Sequence, residues 1–176
     1  MRAAIMSAKR GIGRSGVNPP VGCVLIGANG HLLASGHTGA GGVPHAESAA
    51  LANLDDAGRI ALQGGTAYVT LEPCAHHGKT PPCADALIAA GIARLVVALQ
   101  DPDLRVNGNG LAHIAKKGIV VCLGVEAALS NETLKYFIHK IHNHKPYYSL
   151  KIPASLDGRI ALSDRKKRWL TGPKMR

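Results

Sequence analysis

The chain has 176 residues, enough for one domain with a proper core and too few for two full ones. Its apolar fraction is 46%, yet Asp85 and Arg94 interrupt the longest apolar stretch well short of the ~20 residues a membrane span needs, so a soluble globular protein is expected. The net charge of +10 is lopsided: residues 1–134 hold ten Lys/Arg against nine Asp/Glu and residues 135–176 eleven against two. A surface for single-stranded nucleic acid sets aromatic rings beside its charge, and Tyr136, Phe137, Tyr147, Tyr148 and Trp169 lie in the basic segment, but they are few and charge alone gives only non-specific attraction. The basic segment therefore reads as solvated, and nucleic acid is not an expected partner.

The start, Met1 to Arg10, meets its second charge before any apolar region of signal-peptide length, which points to a cytoplasmic protein. A short helix is predicted over residues 2–11, ended by Gly11. Glycines and prolines make 11–20 a loop, and Asn18 at its end stands at the mouth of the first strand as a candidate pocket residue. Val21–Ile26 and His31–Ser35, joined by Gly27-Ala28-Asn29-Gly30, read as a hairpin. Glycines keep 36–43 irregular; Pro44 then opens a helix that begins near His45 and stops at Gly58, with His45 and Glu47 in its first turn. Thr66–Leu71 is a strand. Thr80 as N-cap and Pro81 as first residue predict a helix with Cys83 in its first turn, ending at Gly91. A strand over Arg94–Leu99, a helix over Leu111–Lys117, a strand over Ile119–Leu123 and a closing amphipathic helix over 126–142 follow. Helices alternating with strands imply parallel pairing beyond the hairpin, with helices on both sheet faces.

Chemistry concentrates in two short stretches, Pro44-His45-Ala46-Glu47 and Pro73-Cys74 through Cys83. Taken singly, a histidine is often a satisfied surface group and a cysteine a small core residue. Together, one imidazole and two thiolates make a three-ligand zinc set that keeps the fourth tetrahedral position for water. Zinc lowers that water's pKa to about 7, and Glu47, two residues past the histidine, is placed to carry its proton. The order His-x-Glu, then Pro-Cys and a second Cys, is the signature of zinc deaminases, whose cysteines are usually two residues apart. Here eight residues separate Cys74 from Cys83. Two of the four cysteines thus belong to a metal pattern rather than a disulfide framework, and Cys23 and Cys122, inside apolar runs, are expected in the core. Two predicted helix N-termini face one metal, an arrangement that favours thiolate over thiol.

These residues resemble the cytidine-deaminase-like superfamily and, more narrowly, the deaminase domain of the bifunctional riboflavin-biosynthesis deaminase/reductases. The resemblance is carried by Asn18-Pro19-Pro20-Val21-Gly22-Cys23, by Thr70-Leu71-Glu72-Pro73-Cys74 with the long spacer to Cys83, and by Asp101-Pro102. It implies a three-layer α-β-α sandwich around a mixed sheet of about five strands, class α/β. It also implies one zinc held by His45, Cys74 and Cys83, with Glu47 as proton carrier. The implied reaction is hydrolytic deamination of a pyrimidine ribose phosphate, with substrate contacts from Asn18, His76, Lys79 and Asp101. Lys79 is either the cation that meets the phosphate or a solvated loop lysine.

From Lys145 onward, Lys145-Pro146-Tyr147, Ser155-Leu156-Asp157-Gly158-Arg159 and Trp169-Leu170-Thr171-Gly172 resemble the opening of that family's reductase domain. Lys167 stands where the family has a serine, and Pro153 where it has a small residue near the cofactor. The expected division is a deaminase domain over 1–144 and a truncated reductase remnant over 145–176, too short for a dinucleotide fold, so NADPH is not an expected cofactor. A separate reductase chain and a homo-oligomer both stay open as partners. The rival functions are a nucleic-acid-associated deaminase-like module and an inactive remnant of the bifunctional enzyme.

Overall fold

The computed structural model describes residues 1–75, 81–104, 106–161 and 172, and divides into two compact units, Met1–Pro146 and Tyr147–Arg176. The first holds a five-stranded mixed sheet of β1 (Gly22–Ile26), β2 (Leu32–His37), β3 (Thr66–Leu71), β4 (Arg94–Leu99) and β5 (Val120–Leu123), in the order β2-β1-β3-β4-β5. β1 pairs antiparallel with both β2 and β3, while β3, β4 and β5 run parallel. Parallel pairing beyond the hairpin is thus as expected, and β3 joins the hairpin antiparallel to β1, which makes the sheet mixed. β1, β3 and β4 read as near-continuous apolar runs since helices cover both of their faces.

Among the described residues six α-helices make the outer layers: α1 (Arg2–Ala8), α2 (Ala46–Ala52), α3 (Asp56–Leu62), α4 (Cys83–Ala89), α5 (Asn109–Ala115) and α6 (Ala127–Asn143). α1 and α6 touch each other and pack on one face, and α2 with α4, and α5 with α4, line the other. The three-layer α/β sandwich is therefore as expected. The single helix expected from His45 to Gly58 is two. α2 stops at Asn53, and Asp55 starts α3 by accepting a hydrogen bond from the Gly58 N–H at 2.7 Å. Gly58 lies in the first turn of a new helix instead of ending an old one. Cys23 is buried as expected, whereas Cys122 on the edge strand β5 is only half-buried.

Two glycines let the outer layers close down on the sheet. A Cβ on Gly22 would lie 1.9 Å from the Ala4 carbonyl oxygen of α1, and one on Gly36 2.4 Å from both the Ala46 carbonyl oxygen and the Ala50 nitrogen of α2. Both obstacles are helix backbone, which cannot rotate away. Gly36→Ala is therefore expected to cost roughly 1–3 kcal/mol as an overpacked contact and to lower the melting temperature by several degrees. An unchanged melting curve would show that α2 has slack the structure does not reveal.

In the second unit the described residues contain no helix or strand. Their one closed feature is a turn in which the Ser155 N–H donates to the Arg159 carbonyl at 2.9 Å and the Gly158 N–H to the Ser155 carbonyl at 2.9 Å.

Candidate active site

β3 ends at Leu71, and the following residues carry the chain to the start of α4. There the Cys83 N–H donates to Cys74 Sγ at 3.4 Å and the Ala84 N–H to the Cys74 carbonyl at 3.1 Å. α4 begins at Cys83 with Pro82 in the cap position, two residues later than Thr80 and Pro81 predict. His45 is not inside the first turn of α2 as expected; it is the extended cap residue before it, and Glu47 is in the turn. Close packing of α2 over Gly36 brings both toward the end of β3.

The result is one cluster of soft and borderline donors. His45 Nδ1 lies 3.7 Å from Cys74 Sγ and 3.3 Å from Cys83 Sγ, and the three ligand atoms all lie within 4.8 Å of one another. A tetrahedral zinc with ordinary Zn–S and Zn–N bonds has S···N edges of roughly 3.6 Å. The two S···N spacings lie close to those edges, so the donor set fits zinc.

Electrostatics lead to the same reading. The Cys74 thiol is drawn down to about 4, first by the hydrogen bond from the Cys83 side chain and further by His45. The Cys83 thiol is pushed far up, first by its bond to Cys74, then by burial and the charge of Glu47. The two thiols are pushed in opposite directions, because a second thiolate beside the first has no positive charge to hold it. A divalent cation supplies that charge. The Cys74 interaction raises His45.

Glu47 is 4% exposed, and burial, followed by the Cys74 charge, raises its carboxyl to about 7. It is not among the converging donors. A buried carboxyl beside a metal position, titrating near neutrality and outside the ligand set, is suited to moving a proton.

Beside the triad opens a cleft of about 430 Å³, a size that suits a small-molecule ligand. Asn18, Thr38, Glu47, Glu72, Asp101 and Phe137 are among its lining residues. Thr38 ties the Asn18 loop to β2: its hydroxyl accepts from the Val21 N–H and donates to the Pro19 carbonyl, both at 2.9 Å. Asn18 Nδ2 donates to the Gly42 carbonyl at 3.2 Å. Gly42 itself, at φ +95°, would put a Cβ 2.0 Å from that same nitrogen, so only glycine lets Asn18 sit there.

Of the residues singled out by sequence, His45, Glu47, Cys74, Cys83, Asn18 and Asp101 come together around this cleft. His76 and Lys79 lie outside the described residues. The sequence reading missed Thr38, Asp103 and Glu72 in the lining. Glu72 had a signal, since a carboxylate between a buried strand and a proline-cysteine turn is out of place unless something accepts its charge.

The family model for the cytidine and deoxycytidylate deaminase zinc-binding region matches residues 1–99. The riboflavin biosynthesis protein RibD of Escherichia coli is 43% identical over all 176 residues, and the match covers 47% of that protein. Among solved structures, Acinetobacter baumannii RibD superposes with a TM-score of 0.83 at 43% identity, covering 97% of this chain and 47% of that one. A Thermotoga maritima diaminohydroxyphosphoribosylaminopyrimidine deaminase/5-amino-6-(5-phosphoribosylamino)uracil reductase reaches 0.86 at 39% identity, covering 98% and 48%. The chain thus spans about half the length of the curated relatives it matches.

Proposed function

We infer that this chain, which belongs to the cytidine and deoxycytidylate deaminase zinc-binding family, hydrolyses the exocyclic C–N bond of a pyrimidine. Its proposed substrate is 2,5-diamino-6-ribosylamino-4(3H)-pyrimidinone 5′-phosphate, converted to the 5-amino-6-ribosylamino-uracil phosphate with release of ammonia. The observation that carries the reading is the meeting of His45, Cys74 and Cys83 within 4.8 Å, the first two on the wall of a cleft that the buried Glu47 also lines. The substrate rests on relatives about 40% identical, one of them described as that pyrimidine's deaminase.

Zinc bound at the triad would keep one position for water and lower that water's pKa to about 7. The protein's own part is then to move protons and hold the ring. Glu47 takes a proton from the attacking water and gives it to the ring nitrogen next to the amino-bearing carbon. It then delivers the second proton to the amine as the C–N bond breaks, so that one water is consumed and one ammonia leaves. Asn18, held by Gly42, and Asp101 on the facing loop are proposed to orient the ring, with acceptor oxygens suited to its amino groups. His76 and Lys79 complete the proposed substrate set, Lys79 toward the phosphate.

The test is ammonia release by the zinc-loaded chain from the pyrimidine phosphate, from cytidine and from an RNA hairpin. Release from the first alone is expected. Release only from the hairpin would favour a nucleic-acid-associated deaminase, and none from any of the three an inactive fold. Among the described residues no helix is long and apolar enough to cross a membrane.

We assign the deaminating step to residues 1–144 and read 145–176 as the counterpart of the opening of a reductase domain. A chain ending at Pro153 is then expected to keep its ammonia-release rate and its melting temperature, because the ligands, Glu47 and the cleft all belong to the first compact unit. Loss of either on truncation would show that the basic segment serves the active site or an oligomer contact.

A further inference from the structure

Glu72 is buried, 4% exposed, at the point where β3 hands over to the Cys74 turn, and its carboxylate accepts four backbone N–H groups. Oε2 takes those of Asp101 at 3.2 Å and Gly108 at 2.9 Å, and Oε1 those of Gly110 at 2.9 Å and Leu111 at 3.3 Å. A buried carboxylate is tolerated only when its lone pairs are satisfied, and here each oxygen accepts two hydrogen bonds. No neutral side chain can replace it, because only an ionised carboxylate accepts at every position.

The clamp joins the two walls of the cleft. One end is two residues from the ligand Cys74, and the other begins at Asp101, which is 8% exposed and lines the cleft. The Asp101 carboxylate in turn accepts from the Asp103 N–H at 2.9 Å. Contact is close enough at the far end that a Cβ on Gly110 would meet the Pro73 carbonyl oxygen at 2.0 Å. The cap residue of α5, Gly108, has no side chain to cap the first turn, so Glu72 acts as its cap from the end of β3, far away in sequence.

We propose that Glu72 is a positioning residue for the reaction: its carboxylate fixes the Asp101 wall relative to the Cys74 turn and so sets where the pyrimidine ring sits over the metal position. This rests on the reading of the cleft as the deaminating site. Glu72→Gln keeps the shape but turns one oxygen into a donor facing two N–H groups, so one end of the clamp must release.

The experiment uses the full zinc-loaded chain as wild type, Glu72→Gln, Asp101→Asn and the double variant. It measures zinc per chain, amide hydrogen exchange and the kinetics of ammonia release. Glu72→Gln is expected to keep its zinc, to exchange faster at the amides of 101–111 and to lose about 10² in kcat/KM, mostly through kcat, as a slight misplacement of the reacting ring does. In the Asp101→Asn background it is expected to add less than about twofold, since it acts through that wall. Glu72→Asp, an acceptor-only group one methylene short, should fall between and carries the kinetic comparison if Glu72→Gln does not fold. Unchanged exchange, or kinetic losses that simply multiply in the double variant, would overturn the proposal. If even the wild type releases no ammonia, the functional reading fails, and the clamp is judged on exchange alone: faster exchange confined to 101–111 supports it and unchanged exchange refutes it.

Discussion

Cys74→Ser is expected to lose both its zinc and its ammonia release. A serine hydroxyl stays protonated at neutral pH and is a poor partner for a borderline-soft ion, whereas Cys74 is already drawn toward thiolate by Cys83 and His45 before any metal binds. The change also removes the sulfur that accepts the Cys83 N–H, so the second ligand loses part of its placement. Elemental analysis should find about one zinc per wild-type chain and close to none in the variant. The melting temperature should fall as well, because a metal that binds only the folded chain contributes its binding energy to folding. A variant that kept full zinc occupancy would remove Cys74 from the ligand set and with it the proposed chemistry. Chelation of the wild-type protein should reproduce the variant's loss, and added zinc should restore activity in the wild type alone.

Glu47→Gln should do the opposite: keep the zinc and slow turnover by about 10²- to 10⁴-fold, the usual worth of a positioned proton carrier. Glutamine fills the same buried volume in the first turn of α2 and forms hydrogen bonds, but it cannot take up and release a proton. Burial opposes ionisation of the native carboxyl, so a neutral replacement brings no electrostatic penalty to folding, and the melting temperature should hold. The informative pair is zinc content beside kcat. Loss of metal would make Glu47 a ligand or a structural support, and an unchanged kcat would move the proton transfer to another group.

The two variants divide the site as the geometry does, into groups that converge within 4.8 Å and one that stands beside them. The sequence pattern already drew this division, because in the zinc-deaminase order of His-x-Glu, then Pro-Cys and a second Cys, the histidine and the cysteines are the metal's ligands and the glutamate is not. The helix starts were less legible. Gly58 read as a stop because glycine so often ends helices, yet here it does not adopt a left-handed backbone and its N–H bonds to Asp55. Thr80 and Pro81 read as the opening of α4, but the chain delays the first turn to Cys83, whose N–H goes to the Cys74 sulfur. In both places a non-local or capping hydrogen bond outweighed the local preference.

What the sequence by itself determined is the class of fold; it also singled out His45, Cys74 and Cys83, which the structure brings within 4.8 Å of one another, and the buried Glu47 proposed here as proton carrier. Apolar runs punctuated by glycine and proline mark buried strands, and soft donors at that spacing near helix starts have few other uses. Only the tertiary structure decided the rest. That Gly36 and Gly42 are required, that Thr38 tethers the Asn18 loop and that Glu72 receives four amides from 101–111 all depend on which backbone groups come near. Every residue but proline carries the same N–H and C=O, so the identity of a side chain cannot say which of them it will meet. That is settled only when the chain is packed, and the cleft is the space left among the Asn18 loop, the start of α2, the end of β3 and the stretch with Asp101, Asp103 and Val106.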